Sequence, residues 1–220
     1  MTAIAIDGPA GAGKSTIAKK VSFELGFIYV DTGALYRAIG YFALSKKIDS
    51  SDTVKVINLL EKIKVELAFV DGTQRVLLNN EDISDKIRTP EVSMAASAVS
   101  AIPAVRDFLF DLQRNIAKTN NVIMDGRDIG TVVLPDAKIK IFLTASAEDR
   151  ANRRYKELTE KGQTVSYDDV LEDIKTRDYN DSNRPIAPLK PAPDSILVDT
   201  SGFTLEQAIN HLTSIIKNKL

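Results

Sequence analysis

Short apolar runs alternate with amphipathic stretches along most of this chain. Runs with the length and β-branched content of buried strands occur at Thr2–Ile6, Phe27–Val30, Val122–Met124, Ile139–Leu143 and Ile196–Val198. Helical spacing of apolar residues occurs at Lys14–Leu25, Gly33–Leu44, Pro103–Lys118, Ala147–Glu160, Ser166–Tyr179 and Leu205–Lys217. Short strands separated by helices predict an α/β protein with an open, doubly wound parallel sheet, whose site lies at the carboxyl ends of the strands.

Two segments break this alternation. Residues Lys64 to Ser84 contain VELAFV, the turn pair Asp71-Gly72 and RVLLNN, which predict a small antiparallel insert before a helical segment, Thr89–Ser100. Residues 150–192 are rich in charge, lack a strand pattern and end in RPIAPLKPAP, which predicts a helical hairpin or lid with an extended return. We therefore expect one domain with a core (about 1–62, 101–149 and 185–220), an insert (about 63–100) and a lid (about 150–184).

Composition narrows the classes of function. The formal net charge of -1 gives no overall basic field for nucleic acid. The absence of cysteine excludes disulfides and thiol chemistry, and we expect the single histidine, His211, to be structural rather than catalytic. No apolar run approaches about 20 residues, and the first motif begins at residue 7, so we expect a cytoplasmic protein without a leader or a membrane span.

Residues 8–15 read GPAGAGKS and match the phosphate-binding pattern G-x-x-x-x-G-K-[ST] between a predicted strand and a predicted helix. Glycines in such a loop let backbone N–H groups point inward, and the helix adds its positive end. Lys14 supplies a cation for the β and γ phosphates, and Ser15 offers a hydroxyl to Mg²⁺. The pattern therefore predicts a site for a nucleoside triphosphate.

Two further segments predict an acceptor side. DTGALYR places Asp31 and Arg37 after the second strand, and MDGRDIG places Arg127 and Asp128 after the third. Because carboxyl ends of parallel strands share one edge, both segments open onto the cleft of the phosphate loop. An arginine in each suits a second phosphate group. A solvated helix face is an equal alternative for Arg37.

Asp125 closes the run VIMD and resembles the acidic position that holds Mg²⁺ in phosphate-loop proteins. We favour a role beside the metal, through water, over the alternative of orienting Arg127.

The lid segment carries several arginines that can close over a γ-phosphate and stabilise charge in the transition state. We expect Arg150 to make ordinary surface pairs. For Arg184, which precedes Pro185 and is thereby held in extended backbone, we expect a placed functional role.

Six strings in chain order carry a resemblance to a known family: DGPAGAGKST, VDTGALYR, IRTPEV, VIMDGRDIGTVVLPDA, KIFLTAS and RDYNDSNRPIAPL. With these strings the chain resembles the bacterial cytidylate kinases, in the nucleoside monophosphate kinase group, over essentially its whole length. The segment 64–100 is similar to the enlarged monophosphate-binding insert of that family. The resemblance implies transfer of a phosphoryl group from ATP, with Mg²⁺, to CMP and dCMP in pyrimidine nucleotide metabolism, by a monomer with small-molecule substrates.

The resemblance also implies roles for individual residues. It assigns ATP to Gly8, Pro9, Ala10, Gly11, Ala12, Gly13, Lys14, Ser15 and Thr16. It assigns the acceptor phosphate to Arg37, Arg127 and Arg184, the sugar to Thr32, Arg177 and Asp181, and the base to Ser97, Arg106 and Asp128. The predicted catalytic set is Lys14, Arg127, Arg184, Arg153 and Arg154, and the predicted metal ligands are Ser15 and Asp125.

The base assignment agrees with the chemistry of cytosine. An aspartate accepts from the N4 amino group and an arginine donates to N3 or O2, whereas uracil reverses the first two groups. Two alternatives stay open. One is a phosphate-loop kinase for another small acceptor. The other is a GTP-binding switch, which expects an N-K-x-D guanine motif that the sequence lacks.

Overall fold

The computed structural model describes residues 1–70, 72–160 and 162–220, so Asp71 of the predicted Asp71-Gly72 turn lies outside the described residues. The strands are β1 (Ala3–Asp7), β2 (Ile28–Asp31), β3 (Val65–Val70), β4 (Thr73–Leu78), β5 (Glu81–Asp82), β6 (Val122–Gly126), β7 (Ile139–Thr144) and β8 (Ile196–Asp199). The helices are α1 (Lys14–Leu25), α2 (Gly33–Ser45), α3 (Thr53–Leu60), α4 (Pro90–Ser100), α5 (Pro103–Thr119), α6 (Ala147–Glu160), α7 (Tyr167–Asn183) and α8 (Leu205–Lys219).

A parallel sheet of five strands, in the order β2-β6-β1-β7-β8, forms the centre of the molecule. Side chains alternate across it: Ile4 and Ile6 of β1 pack with α1 and α8, and Ala5 packs on the opposite face with the segment after β6. Helices cover both faces because both faces are apolar. The predicted α/β class and the five predicted strands are confirmed, but β8 is an edge strand in which only Val198 is buried.

The insert is a second, antiparallel sheet of β3, β4 and β5. The predicted strand RVLLNN ends earlier than expected, because Asn79 and Asn80 adopt positive φ angles of 50° and 68° and reverse the chain into β5. Helix α3 was not predicted, since its sequence TVKVINLL is only eight residues long and half β-branched, and such a short apolar run is ambiguous between helix and strand. The side chain of Asp52 starts α3 by accepting from the Lys55 N–H at 3.1 Å.

Helices α6 and α7 form the predicted hairpin. Ala151, Leu158, Val170 and Ile174 make a small apolar cluster between them. The chain leaves α7 at Arg184 with φ −63° and ψ 142°, which is the extended conformation expected before a proline. The predicted helical hairpin is confirmed. The return from it is extended at Arg184 but bends at residues 185–187, where Ala187 has a φ angle of 48°.

An unpredicted π-helical turn, Ile129–Val133, follows β6. The carboxylate of Asp7, at the end of β1, accepts the N–H groups of Ile129 at 2.8 Å and Gly130 at 2.7 Å. Burial raises the pKa of Asp7 to about 6, although these two hydrogen bonds lower it. Asp7 therefore joins the strand before the phosphate loop to the segment that begins at Asp128.

Replacement of Asp7 by asparagine is expected to destabilise the fold. An asparagine turns an amide N–H₂ toward one of the two backbone donors and leaves that N–H unsatisfied, which costs about 1–3 kcal/mol. Urea unfolding at pH 7 measures the change. The same substitution at Asp107, an exposed residue of α5, should leave the midpoint unchanged. Equal midpoints for both variants would contradict the anchoring role.

Two smaller expectations concern the surface. His211 is exposed on α8, as expected for a surface residue, and its ring meets the ring of Phe203 edge-on, with the ring centres 5.9 Å apart. Within the described part of the chain, no single helix has the length and apolarity to cross a membrane. Helices α4 and α5 reach that length and composition only together, and they meet at a bend of 99°.

Candidate active site

A cavity of about 700 Å³ lies at the carboxyl ends of β2 and β6, between the phosphate loop, α4 and the lid hairpin. Most of the predicted site residues line it: Ala10, Gly11, Gly13, Lys14, Ser15, Thr16, Thr32, Arg37, Ser97, Arg106, Asp125, Arg127, Asp128, Arg153, Arg154, Arg177, Asp181 and Arg184. The other three, Gly8, Pro9 and Ala12, form the back of the phosphate loop. The structure therefore brings most of the residues predicted from the sequence together around one cleft.

Glycine residues set the backbone path of the phosphate loop. At Gly8 the φ angle is 152°, and a Cβ would lie only 1.9 Å from the carbonyl oxygen of Leu143, so the loop can follow this path only with glycine. Gly13 precedes α1 with a φ angle of 84° and no side-chain cap. The first N–H groups of α1 therefore have no partner within the helix and add its positive end to the cleft.

Lys14 is buried at the mouth of this loop, and its Nζ donates to the carbonyl oxygen of Pro9 at 2.7 Å. Burial, followed by the charge of Arg127, lowers the pKa of Lys14 to about 7, against the opposing effect of Asp125. A phosphate anion supplies the negative charge that favours the protonated amine. The geometry thus suits an ammonium group that binds phosphate.

Asp125 is surrounded by hydroxyl groups. Ser15 Oγ donates to Oδ2 at 2.9 Å, and Tyr29 Oη donates to Oδ1 at 3.0 Å. Burial, with the nearby charge of Asp31, raises the pKa of this carboxyl to about 6. Mg²⁺ prefers one or two carboxylates or hydroxyls together with phosphate oxygens and water, so this oxygen-only pair fits it. The alternative role, orienting Arg127, has no hydrogen bond among the described residues to support it.

Three arginines face the cleft opposite the phosphate loop. Arg37 pairs with Asp31 at 2.6 Å, and Arg127 Nε donates to Asp181 at 2.8 Å. The Nε of Arg177 is buried without a hydrogen-bond partner in the described structure. Burial, together with the charges of Arg127 and Arg37, lowers the pKa of Arg177 to about 10. Concentrated positive charge with an unused buried donor favours an anion at this place.

Asp128 lies between two further arginines. Arg106 donates to one carboxylate oxygen, and Arg184 donates to the other at 3.2 Å. Arg184 also donates to Ser100 Oγ at 3.1 Å and to the carbonyl oxygen of Ala187 at 2.7 Å. The family resemblance grouped Arg184 with Arg37 and Arg127 around the acceptor phosphate. In the structure its hydrogen bonds are instead with Asp128, a candidate for base recognition, and with Ser100 and Ala187.

The other candidates for sugar and base contacts are also held by neighbours. Ser97 Oγ lies 3.4 Å from Asp181 Oδ1, and Thr32 Oγ1 donates to the carbonyl oxygen of Asp125 at 2.7 Å. Burial raises the pKa of Asp181, but the ion pair with Arg127 and the charges of Arg177 and Arg184 together lower the pKa below its usual value. Asp181 therefore connects α7 of the lid to α4 and to the loop after β6.

The expectation for Arg150 was wrong. This residue is only 5% exposed, and its guanidinium reaches the phosphate loop, where it donates to the carbonyl oxygen of Ala10 at 2.9 Å. It also donates to the carbonyl oxygen of Ala145 at 2.9 Å and pairs with Asp178 of α7 at 2.7 Å. The helical spacing of α6 showed that Arg150 and Arg154 share one face of the helix. It did not show that Arg150 on this face contacts the phosphate loop.

The donor end of the cavity extends toward α8. Arg153 donates to the carbonyl oxygen of Thr200 at 2.8 Å, and Arg154 pairs with Glu157 at 2.8 Å. Phe203 and Leu205 form the adjoining wall. Neither was a candidate, because the loop before α8 carries no motif that points to a ligand.

Sequence reasoning also missed residues that line the acceptor end. Tyr36 faces the guanidinium of Arg106, whose Cζ lies 5.7 Å from the ring centre. Arg88 lies 3.9 Å from Asp31, and Ser100 bonds Arg184. Tyr36 and Arg88 lie within the strings VDTGALYR and IRTPEV, but nothing in the spacing directs their side chains to the cleft.

Comparisons with known proteins identify the family of this chain. A family model described as Cytidylate kinase matches residues 4–218. The cytidylate kinase of Caldicellulosiruptor saccharolyticus is 51% identical over 96% of this chain and 94% of its own length. That of Carboxydothermus hydrogenoformans is 50% identical over 98% of this chain and 97% of its own. A solved structure of an uncharacterized protein from Eubacterium ventriosum, 13% identical, covers 99% of both chains with a TM-score of 0.51 and shares the fold.

Proposed function

This chain belongs to the cytidylate kinase family, and we propose that it transfers the γ-phosphoryl group of ATP to CMP and to dCMP, forming ADP with CDP or dCDP. The observation that carries the acceptor assignment is the position of Asp128 between Arg106 and Arg184, in the same cavity as the phosphate loop. A carboxylate accepts from the amino group of cytosine, and the adjacent guanidinium groups donate to its ring acceptors.

The reaction needs alignment and charge neutralisation more than a side-chain base. The acceptor oxygen of a nucleoside monophosphate is already anionic, so no proton has to leave it before transfer. Lys14 and the N–H groups of α1 hold the donor phosphates, while Arg37, Arg127 and Arg184 hold the acceptor phosphate opposite. The buried Nε of Arg177, which has no partner among the described residues, supports a further contact of this arginine with the acceptor nucleotide. Holding the γ-phosphate of ATP and the acceptor phosphate in line accelerates the transfer through proximity and orientation.

The lid carries Arg153 and Arg154 at the donor end of the cavity, from which its closure would bring them over the transferring phosphoryl group. Arg153 and Arg154 stabilise the charge that spreads over the transferring group, and closure of α6 and α7 excludes water that would hydrolyse ATP. Asp181 contacts the sugar together with Thr32. Arg184, which pairs with Asp128, spans the base and the acceptor phosphate.

Mg²⁺, held by Ser15 and Asp125 with phosphate oxygens and water, would neutralise charge on the donor phosphates. Within the described residues Ser15 and Asp125 lie in contact, at 2.9 Å between Oγ and Oδ2, which supports this pair as the metal side of the cleft.

Ser15→Ala tests the metal assignment. Loss of the hydroxyl is expected to raise the Mg²⁺ concentration for half-maximal rate about tenfold, in line with the 1.4 kcal/mol that such a factor represents. Mg²⁺ titrations at saturating ATP and CMP measure the effect. Ser22→Ala removes a hydroxyl of the same helix that donates to the carbonyl oxygen of Lys19, and it should leave the Mg²⁺ requirement unchanged. An unchanged requirement in Ser15→Ala would contradict the assignment.

We further propose that core, insert and lid divide the chain at about residues 63, 101, 150 and 185, and that the protein acts as a cytoplasmic monomer. The second sheet and the separate apolar cluster of the lid support the division. Light scattering of the purified protein measures the oligomeric state.

A panel of nucleoside monophosphates with ATP and Mg²⁺, followed by release of ADP, tests the proposed function. We expect the highest kcat/KM with CMP and dCMP. Faster turnover of UMP, or of an acceptor that is not a nucleotide, would contradict the cytosine assignment. Binding of GTP with slow hydrolysis and no stimulation by CMP would contradict a kinase altogether.

A further inference from the structure

Strand β2 is an edge strand of the large sheet and pairs only with β6. An edge strand presents N–H and C=O groups that need partners. At Asp31, the last residue of β2, both backbone groups are satisfied by one side chain of the insert. Gln74 Oε1 accepts the N–H of Asp31 at 2.8 Å, and Gln74 Nε2 donates to the carbonyl oxygen of Asp31 at 3.1 Å.

These two bonds are the polar link between the two sheets. Among the described residues, no other hydrogen bond joins β3, β4 or β5 to the five-stranded sheet. The small sheet also shares an apolar cluster with the core, in which Val76 and Ile83 are buried together with Leu35 and Ile39 of α2. Apolar contact is not directional and allows sliding, whereas a paired amide fixes position and angle.

Asp31 leads directly to the acceptor side of the cleft. Its carboxylate accepts the N–H of Ala34 at 3.0 Å, in the first turn of α2, and pairs with Arg37 at 2.6 Å. Arg88, from the segment that returns from the insert, lies 3.9 Å from the same carboxylate. The position of the insert is therefore transmitted through one residue to two arginines of the cavity.

We propose that Gln74 is a positioning residue for the acceptor nucleotide: its side-chain amide fixes the insert to Asp31 and thereby sets the orientation of Arg37 and Arg88. Gln74 itself lies outside the residues that line the cavity. Its effect should therefore fall on the binding of the monophosphate and leave the phosphate loop unchanged, because that loop follows β1, which β6 separates from β2.

The test compares Gln74→Met with Arg75→Met. Methionine keeps the length of glutamine and removes both hydrogen bonds. The control lies on the adjacent residue of β4, where Arg75 pairs with Asp82 and Asp85 inside the insert and makes no bond to the large sheet. We expect the KM for CMP to rise about fivefold in Gln74→Met, which corresponds to about 1 kcal/mol, with KM for ATP unchanged and kcat close to that of the unmodified enzyme.

Hydrogen–deuterium exchange provides a second measurement that does not depend on enzyme turnover. Without substrates, the amide of Asp31 should exchange faster in Gln74→Met than in Arg75→Met, while melting temperatures report any general loss of stability. The inference fails if KM for CMP is unchanged, if the KM for ATP rises in parallel, or if the control shows the same increase.

The inference rests on the proposed function, and the two can fail separately. If the unmodified enzyme does not phosphorylate CMP, the proposed function is wrong. If it does so and Gln74→Met behaves like Arg75→Met in both assays, only the role of Gln74 is overturned.

Discussion

Lys14→Met is expected to lower kcat by roughly 10³-fold, the magnitude typical of removing one charged stabiliser of a transition state. The side chain keeps its length and loses its charge, so the donor phosphates lose the cation buried beside Asp125. Steady-state assays with CMP at saturating ATP measure the loss. Lys20→Met, on an exposed position of the same helix, should retain normal activity. Near-normal activity of Lys14→Met would contradict the phosphate-loop assignment.

The same variant should fold well, because it removes a buried charge. The pKa of Lys14 is lowered from 10.5 to about 7 in the folded protein, so between these values the unfolded chain binds a proton that the folded chain does not. Stability of the unmodified protein, relative to Lys14→Met, should therefore rise as pH increases from 7 to about 10. Urea unfolding of both proteins at pH 7 and pH 9 measures this difference. A difference that falls with pH would contradict the direction of the shift.

Asp128→Asn is expected to reduce the preference for CMP over UMP by about 10²-fold in kcat/KM, within the range for a reversed hydrogen-bonding group in a buried site. The carboxylate only accepts, which matches the amino group of cytosine. The amide of asparagine can present its N–H₂ group to the carbonyl oxygen of uracil. Loss of the negative charge between Arg106 and Arg184 also weakens the binding of both CMP and UMP. The ratio of the two kcat/KM values therefore separates recognition of the base from this general loss of binding.

Competition assays with CMP and UMP in one reaction measure that ratio directly. The KM for ATP should stay the same, because the donor loop lies at the other end of the cavity. Asp136→Asn makes the same chemical change at an exposed position after the π-helical turn and should preserve the ratio. An unchanged ratio in Asp128→Asn would show that the base is read elsewhere.

The sheet and its helices were predictable because their signals are local. β-Branched runs bounded by turns gave each core strand to within two residues, and the glycine pattern at 8–15 gave the loop before α1. Local sequence patterns did not predict an element when the contact that stabilises it is distant in sequence. The π-helical turn after β6 depends on the carboxylate of Asp7, about 120 residues earlier, and no local pattern records that bond.

The candidate residues divide in the same way. Their chemical types and their places at strand ends came from the sequence, and the cavity contains most of them. Their pairing did not: Arg150 reaches the carbonyl oxygen of Ala10 across 140 residues, and Arg184 meets Asp128 across 56. Resemblance to a family, rather than spacing, was needed to select Ser97 and Arg106.

The sequence alone thus determined the donor half of this protein, which consists of a strand, a glycine-rich loop and a helix that begins at Lys14. The path of the loop at Gly8 leaves no room for a side chain. These features lie within one continuous segment, so local backbone geometry is enough to specify them. The acceptor half was decided by tertiary structure. Asp128, Arg106 and Arg184 come from three separate elements, and only packing of the sheet, α5 and the lid brings their charges into contact.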